Sequence, residues 1–219
     1  MRDDNVLGFL KKIRESVSIT IHKKILYSLS VLLAGILLGT TSKFLDKTAS
    51  NLLPPILEFL DLRNFFSRMG IWIFFAVLIS VYSRTPFRAA TNVFLFFVGM
   101  VGSYYLYTAF VAGFFQESYM VIWITMAFIS PFMAFVCWYA RGNGIIPVII
   151  SAIIFMFMTR QALAFGFWYL DIRNGLELIL WIGTFFVLYQ SPRQMAKVFT
   201  IGVLAFFLTA PLNLFWGML

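Results

Sequence analysis

The sequence predicts an all-α membrane protein. Its core is a bundle of about seven transmembrane helices, six at the lower count, preceded by an N-terminal amphipathic helix. A further helix at about 50–63 is expected at the outer interface or as a re-entrant cap. Three observations carry this. The chain is 61% apolar and 12% charged over 219 residues, whereas a soluble domain is about 45–50% apolar and about 25% charged. Its 27 Phe, 9 Tyr and 6 Trp spread over everything after the polar start, leaving one polytopic domain, 24–219, behind a cytoplasmic amphipathic segment, 1–23. Apolar runs long enough for about 30 Å of hydrocarbon alternate with short turns holding Arg, Gly, Pro or Asn.

In the first segment, Val6, Leu7, Leu10, Ile13, Val17 and Ile21 recur at helical spacing between Lys11, Lys12, Arg14 and Glu15. This predicts a basic amphipathic helix over Asn5 to Ile21, suited to an anionic membrane surface or to fixing orientation. No cleavable leader is read here, because Lys43, Asp46 and Lys47 come after the first apolar run where a small-residue cleavage site would stand.

Span 1 covers Lys24 to Phe44. Gly35 and Gly39 give it a small-residue face for close helix packing, within the bundle or against a membrane-protein partner. From Asp46 to Arg68, Leu52, Leu53, Ile56, Leu57, Phe59, Leu60 and Leu62 form an apolar face, with Pro54-Pro55 suited to a first helical turn. Glu58 and Asp61 argue against a full span there.

Span 2 is Phe65 to Tyr82, and a turn at Ser83 to Arg88 leads to span 3, Ala89 to Phe114. Span 3 carries Gly99 and Ser103 at packing spacing and then Tyr104, Tyr105 and Tyr107. Span 4 is Tyr119 to Tyr139, with Pro131 as a kink. Span 5 is Gly144 to Tyr169, span 6 Leu176 to Tyr189, and span 7 Met195 to Trp216, interrupted by Pro211 and Asn213.

Charge sets the orientation. With the N-terminus inside, that side holds eleven basic residues: Arg2, Lys11, Lys12, Arg14, Lys23, Lys24, Arg84, Arg88, Arg141, Arg193 and Lys197. The other side holds five: Lys43, Lys47, Arg63, Arg68 and Arg173. The bias predicts a cytoplasmic N-terminus, and seven spans then put the C-terminus outside. The net charge of +8 is thus topological and implies no nucleic-acid partner.

Arg160 is the one charge deep in an apolar span, near the middle of span 5. Such a residue costs roughly 2.5–3.5 kcal/mol to insert and usually faces a cavity or a partner. With Gln161 it is expected to floor an outward-facing pocket, walled by Tyr104 and Tyr107 of span 3 and by Trp168 and Tyr169. A guanidinium with aromatic walls suits a small anionic or aromatic solute. The competing readings are a structural pin for Arg160 and an aromatic belt for the others. One His and one Cys exclude the usual zinc and haem ligand sets, so no metal or cofactor is expected. No HExxH, no GxSxG and no pair of intramembrane carboxylates argues for an enzyme. Intramembrane proton relays use chains of Asp, Glu or His, and none is written here.

The combinations Thr41-Ser42-Lys43-Phe44-Leu45-Asp46, Tyr104-Tyr105-Leu106-Tyr107-Thr108 and Phe165-Gly166-Phe167-Trp168-Tyr169 resemble an uncharacterised family of small bacterial polytopic membrane proteins, which implies no activity. In size, basic start, Gly35/Gly39 first span and long outer segment, the chain is similar to the substrate-binding components of energy-coupling-factor vitamin transporters. That resemblance implies capture of a micronutrient from outside and partnership with a membrane coupling protein and ATPases. The expected function is therefore solute binding or transport across the lipid bilayer. The alternative is a non-transporting scaffold, immunity or regulatory subunit that binds another membrane protein.

Overall fold

The computed structural model describes residues 2–49, 52–112, 117–165 and 168–209. Among them, four helices are long and apolar enough to cross a bilayer: Ile21–Lys47, Pro86–Val111, Met120–Arg141 and Ile145–Ala162. The protein is a multi-pass α-helical membrane protein. Two further apolar helices, Met69–Tyr82 and Gly175–Leu188, are shorter than a full span.

The N-terminal helix α1 runs Arg2–Ile13 and stops earlier than the apolar spacing predicts. Residues Ser16 to Thr20 alternate Ser with β-branched side chains, which are poor helix formers. The backbone is instead held from outside: Val17 N–H donates to Arg84 O at 3.0 Å, and Ile13 O accepts from Asn143 N at 2.8 Å. Helix α2, Ile21–Lys47, has 27 residues and is about 40 Å long.

The segment expected as one helix near 50–63 is two short ones, α3 (Pro55–Phe59) and α4 (Leu62–Ser67). Asp61 separates them at φ 50°, a left-handed conformation that short polar side chains tolerate. Its carboxylate then accepts from Asn64 Nδ2 at 2.8 and 3.1 Å. Phe65 and Phe66 therefore belong to α4, and α5 begins only at Met69, ending at Tyr82.

Helix α6, Pro86–Tyr107, starts with Pro at its first position and with the Thr85 hydroxyl accepting from Arg88 N, a complete N-terminal cap. It widens into a π turn at Thr108–Ala112. Helix α7 is Glu117–Trp138, passing through Pro131 and closing in a 3₁₀ turn at Tyr139–Arg141.

Span 5 is where the chain departs most from its hydropathy. Helix α8 runs Ile145–Ala162 and ends there. Strands β1 (Leu163–Phe165) and β2 (Leu170–Ile172) then pair antiparallel, with Ala164 opposite Asp171. Phe165 and Ile172, aromatic and β-branched, suit these strands. Arg160 consequently stands in the last turn of α8, not near the middle of a span. Helix α9 is Gly175–Leu188, capped by Asn174, and α10 is Pro192–Thr209. The end of span 7, with Pro211, Asn213 and Trp216, lies outside the described residues.

Contacts between helix ends define two ends of the bundle. Arg14 bonds the carbonyls of Val81 and Trp138, at the ends of α5 and α7. Arg88 in the first turn of α6 donates to Lys24 O in the first turn of α2 at 2.6 Å. We term this the proximal end, since α1 lies there. At the distal end, Lys43 of α2 meets Tyr104 of α6, Arg68 meets Glu177 of α9, and Arg160 meets Thr209 of α10.

Helix α5 packs against α6, α7, α8 and α9 and supplies Trp72 and Val81 to the core. Helices α2 and α6 run parallel and nearly touch. A Cβ at Gly99 would lie 2.6 Å from Leu32 O, and Cβ atoms at Gly35 and Gly39 would collide with the carbonyls of Phe96 and Met100. Ser103 Oγ fills the space beside Gly39. The small-residue face of span 1 is thus occupied by α6 of the same chain.

Candidate functional site

The close approach of α2 to α6 also places a charged side chain. Gly35, Gly39 and Lys43 are spaced by four residues, so they share one face of α2, with Ser42 and Asp46 beside them. The stripe that admits α6 therefore carries Lys43 inward at its distal end, where the residue is only 5% exposed. Its ammonium donates to Asp46 Oδ2 at 2.7 Å and to the Tyr104 hydroxyl at 3.3 Å, and lies 4.8 Å from the Tyr104 ring centroid. Tyr104 O–H in turn reaches Asp46 Oδ2 at 3.3 Å.

This triad forms one wall of a distal cavity of about 290 Å³. Helix α4 forms a second wall through Arg63, Phe66 and Ser67, and Trp72, Tyr105 and Trp123 supply an aromatic third. Trp72 Nε1–H donates to Phe66 O at 3.0 Å and so pins α4 to α5. Trp72 and Trp123 meet edge to face at 6.3 Å. Arg63 is exposed, and its guanidinium makes no hydrogen bond or ion pair with the described residues. Among the described lining residues, two cations and one carboxylate stand beside aromatic surface, an arrangement that can hold a planar organic anion.

The residues expected around Arg160 are dispersed. Of the six, Tyr104 alone lines the distal cavity. Arg160, 9% exposed, donates from Nη1 to Thr209 O at 2.7 Å and to Thr209 Oγ1 at 3.3 Å. It thereby covers a carbonyl in the last turn of α10. Gln161 packs on Gly70, whose added Cβ would sit 3.5 Å from the Gln161 side chain, and its Nε2 is buried with no partner among the described residues. Trp168 and Tyr169 are 93% and 63% exposed beside the hairpin. Tyr107 is half-buried in the last turn of α6, outside the cavity lining.

Sequence reasoning missed Lys43, Asp46 and Arg63 because each reads as a residue just beyond a span. The four-residue spacing from Gly35 through Gly39 to Lys43 was the available signal. Glu177 likewise reads as an outer-loop carboxylate. The structure buries it to 1% exposure, with Oε1 accepting from Arg68 Nη1 at 3.1 Å and Oε2 unpartnered among the described residues. Among the described residues, no three of His, Cys, Asp or Glu converge as metal ligands.

No protein-family model, curated protein or solved structure matches the chain.

Proposed function

We propose that the protein binds a small organic anion with a planar or aromatic body in its distal cavity, as the solute-binding part of a membrane transport system. The observation that carries this reading is Arg63, without an acceptor among the described residues, at an aromatic cavity whose inner wall holds the Lys43 ammonium between Asp46 and Tyr104. A carboxylate docks on the Arg63 fork, since guanidinium binds carboxylate in a bidentate manner. The ring of the solute lies against Trp72 and Trp123, and Lys43 and Tyr104 supply the polar groups that orient it.

The excess of basic residues at the proximal end supports a cytoplasmic N-terminus, so the distal cavity opens to the outside of a bacterial inner membrane and takes solute from there. In this reading seven helices cross, with α5 extended by α4, α9 extended by the hairpin, and α10 completing the bundle. The likeness to vitamin-binding transporter components adds a micronutrient as the class of solute and a coupling subunit as partner. With Gly35 and Gly39 covered by α6, such a subunit meets another face.

The test is thermal stability of the detergent-purified chain against aromatic and aliphatic carboxylates, nucleobases and vitamins. A ligand binding only the folded protein at a hundred times its Kd adds about 2.7 kcal/mol. The wild type and Arg160→Ala are expected to share a ligand-induced shift that Arg63→Ala loses. Loss in Arg160→Ala alone moves the site to α8, and no shift with any ligand rejects the reading.

A further inference from the structure

A second cavity, of about 250 Å³, opens at the proximal end between the α1–α2 linker, the turn after α5 and the close of α7. Arg14, Arg84 and Arg141 line it, with Glu15, Tyr82 and Ser83. It has room for roughly eight waters.

The three arginines are not equivalent. Arg14 serves the fold: it donates to Val81 O at 2.9 Å and to Trp138 O, and lies 4.2 Å over the Trp138 ring. It thereby offsets the negative ends of α5 and α7. Arg84 is exposed and makes no side-chain hydrogen bond or ion pair with the described residues. Arg141 stacks on Tyr82 at 5.1 Å and is likewise without an acceptor among them.

Glu15 is exposed and forms no ion pair with any of the three. Three guanidinium charges less one carboxylate leave two positive charges facing one polar space. Burial first, and the charge of Arg141 second, push the Arg14 pKa down to about 10. Like charges are crowded here, and among the described residues none of the three arginines has a carboxylate partner.

An excess of positive charge and forked donors match a phosphate, which carries about −1.5 to −2 as a monoester at neutral pH and one negative charge as a lipid diester; guanidinium forks bind phosphate bidentately. The cavity also sits where α5 and α7 end beside an exposed Tyr82, the level at which interfacial tyrosines and lipid headgroups meet. We propose that Arg84 and Arg141 form a binding site for a phosphate group at the proximal membrane interface, presented by an anionic lipid headgroup or as free phosphate. Glu15 is then positioned to accept from a hydroxyl carried by the phosphate's substituent.

The experiment uses the full chain in uncharged detergent, with melting followed at constant ionic strength. One arm adds inorganic phosphate in place of chloride; the other adds phosphatidylglycerol in place of phosphatidylcholine. A rise of several degrees in the wild type is expected in at least one arm and is lost in Arg84→Gln. Arg84 has no side-chain partner among the described residues, so this variant is expected to melt unliganded as the wild type does. Arg141→Gln should behave the same; should it fail to fold, Arg84→Gln decides.

A rise with phosphatidylglycerol alone assigns the lipid headgroup, and a rise with inorganic phosphate alone assigns the free anion. Rises in both arms that are not additive show that the phosphate itself is recognised. Lys197→Gln, elsewhere on the proximal end, is expected to keep the full shift. The proposal is overturned if neither arm stabilises the wild type, if Arg84→Gln keeps the shift, or if Lys197→Gln loses as much as Arg84→Gln.

Discussion

Lys43 and Asp46 form one ion pair with unequal partners: the lysine side chain is 7% exposed and the aspartate 45%. Removing the buried partner leaves a carboxylate that water can reach, whereas removing the exposed one leaves a buried ammonium with less to hold it. Asp46→Asn is therefore expected to cost about 1–3 kcal/mol, and more than Lys43→Met, in unfolding of the unliganded protein. Equal costs would mean that burial of Lys43 is not what the pair offsets. Arg14 poses a different problem, since its guanidinium reaches two helix-end carbonyls and a ring together. An ammonium has no such planar fork. Arg14→Lys should lower the melting temperature nearly as far as Arg14→Met; full stability in the lysine variant would show that charge alone is needed.

At the scale of elements, the α2–α6 contact depends on the absence of side chains at Gly35, Gly39 and Gly99. Gly35→Ala or Gly39→Ala drives a methyl into backbone carbonyls of α6, which can give way only if the helices separate. Overpacking of this kind typically costs about 1–3 kcal/mol, and the helices carry Lys43 and Tyr104 apart with them. Gly102 lies on the same α6 helix with nothing within 4 Å of a built Cβ. Gly102→Ala should be neutral or stabilising, by up to about 1 kcal/mol of helix propensity. Melting curves of the three variants test the contact, and similar losses at Gly102 and Gly35 would refute it. The break at Asp61 is a separate device: it turns α4 so that Arg63, Phe66 and Ser67 face the cavity while Phe59 of α3 remains 87% exposed.

For the whole molecule, the proximal and distal ends differ in charge and in the cavity each holds. The proximal cavity has three arginines and one glutamate, and the distal cavity pairs Lys43 and Arg63 with Asp46 against aromatic walls. In a Cys137→Ser background, single cysteines at Glu15 and Ser191 should react with a membrane-impermeant thiol reagent only after the cytoplasmic face is opened. Cysteines at Arg63 and Asp171 should react in intact cells. The reverse pattern would invert the protein in the membrane and turn the distal cavity to the inside.

Much of this architecture is legible in the sequence. Hydropathy sums over about twenty residues, so the membrane class does not depend on where any one side chain points. Helix starts at Pro86, Gly175 and Pro192 are likewise local, written in Thr85-Pro86, Asn174-Gly175 and Ser191-Pro192. The same window carries span 5 past Ala162, because the residues that follow in the sequence are as apolar as a helix, and so it sets Arg160 too deep. Which polar residues share a space was decided only by tertiary structure. Lys43, Arg63 and Tyr104 come from three separate helices, and they meet because glycines on both helices let α2 press on α6 and one left-handed residue turns α4 towards them.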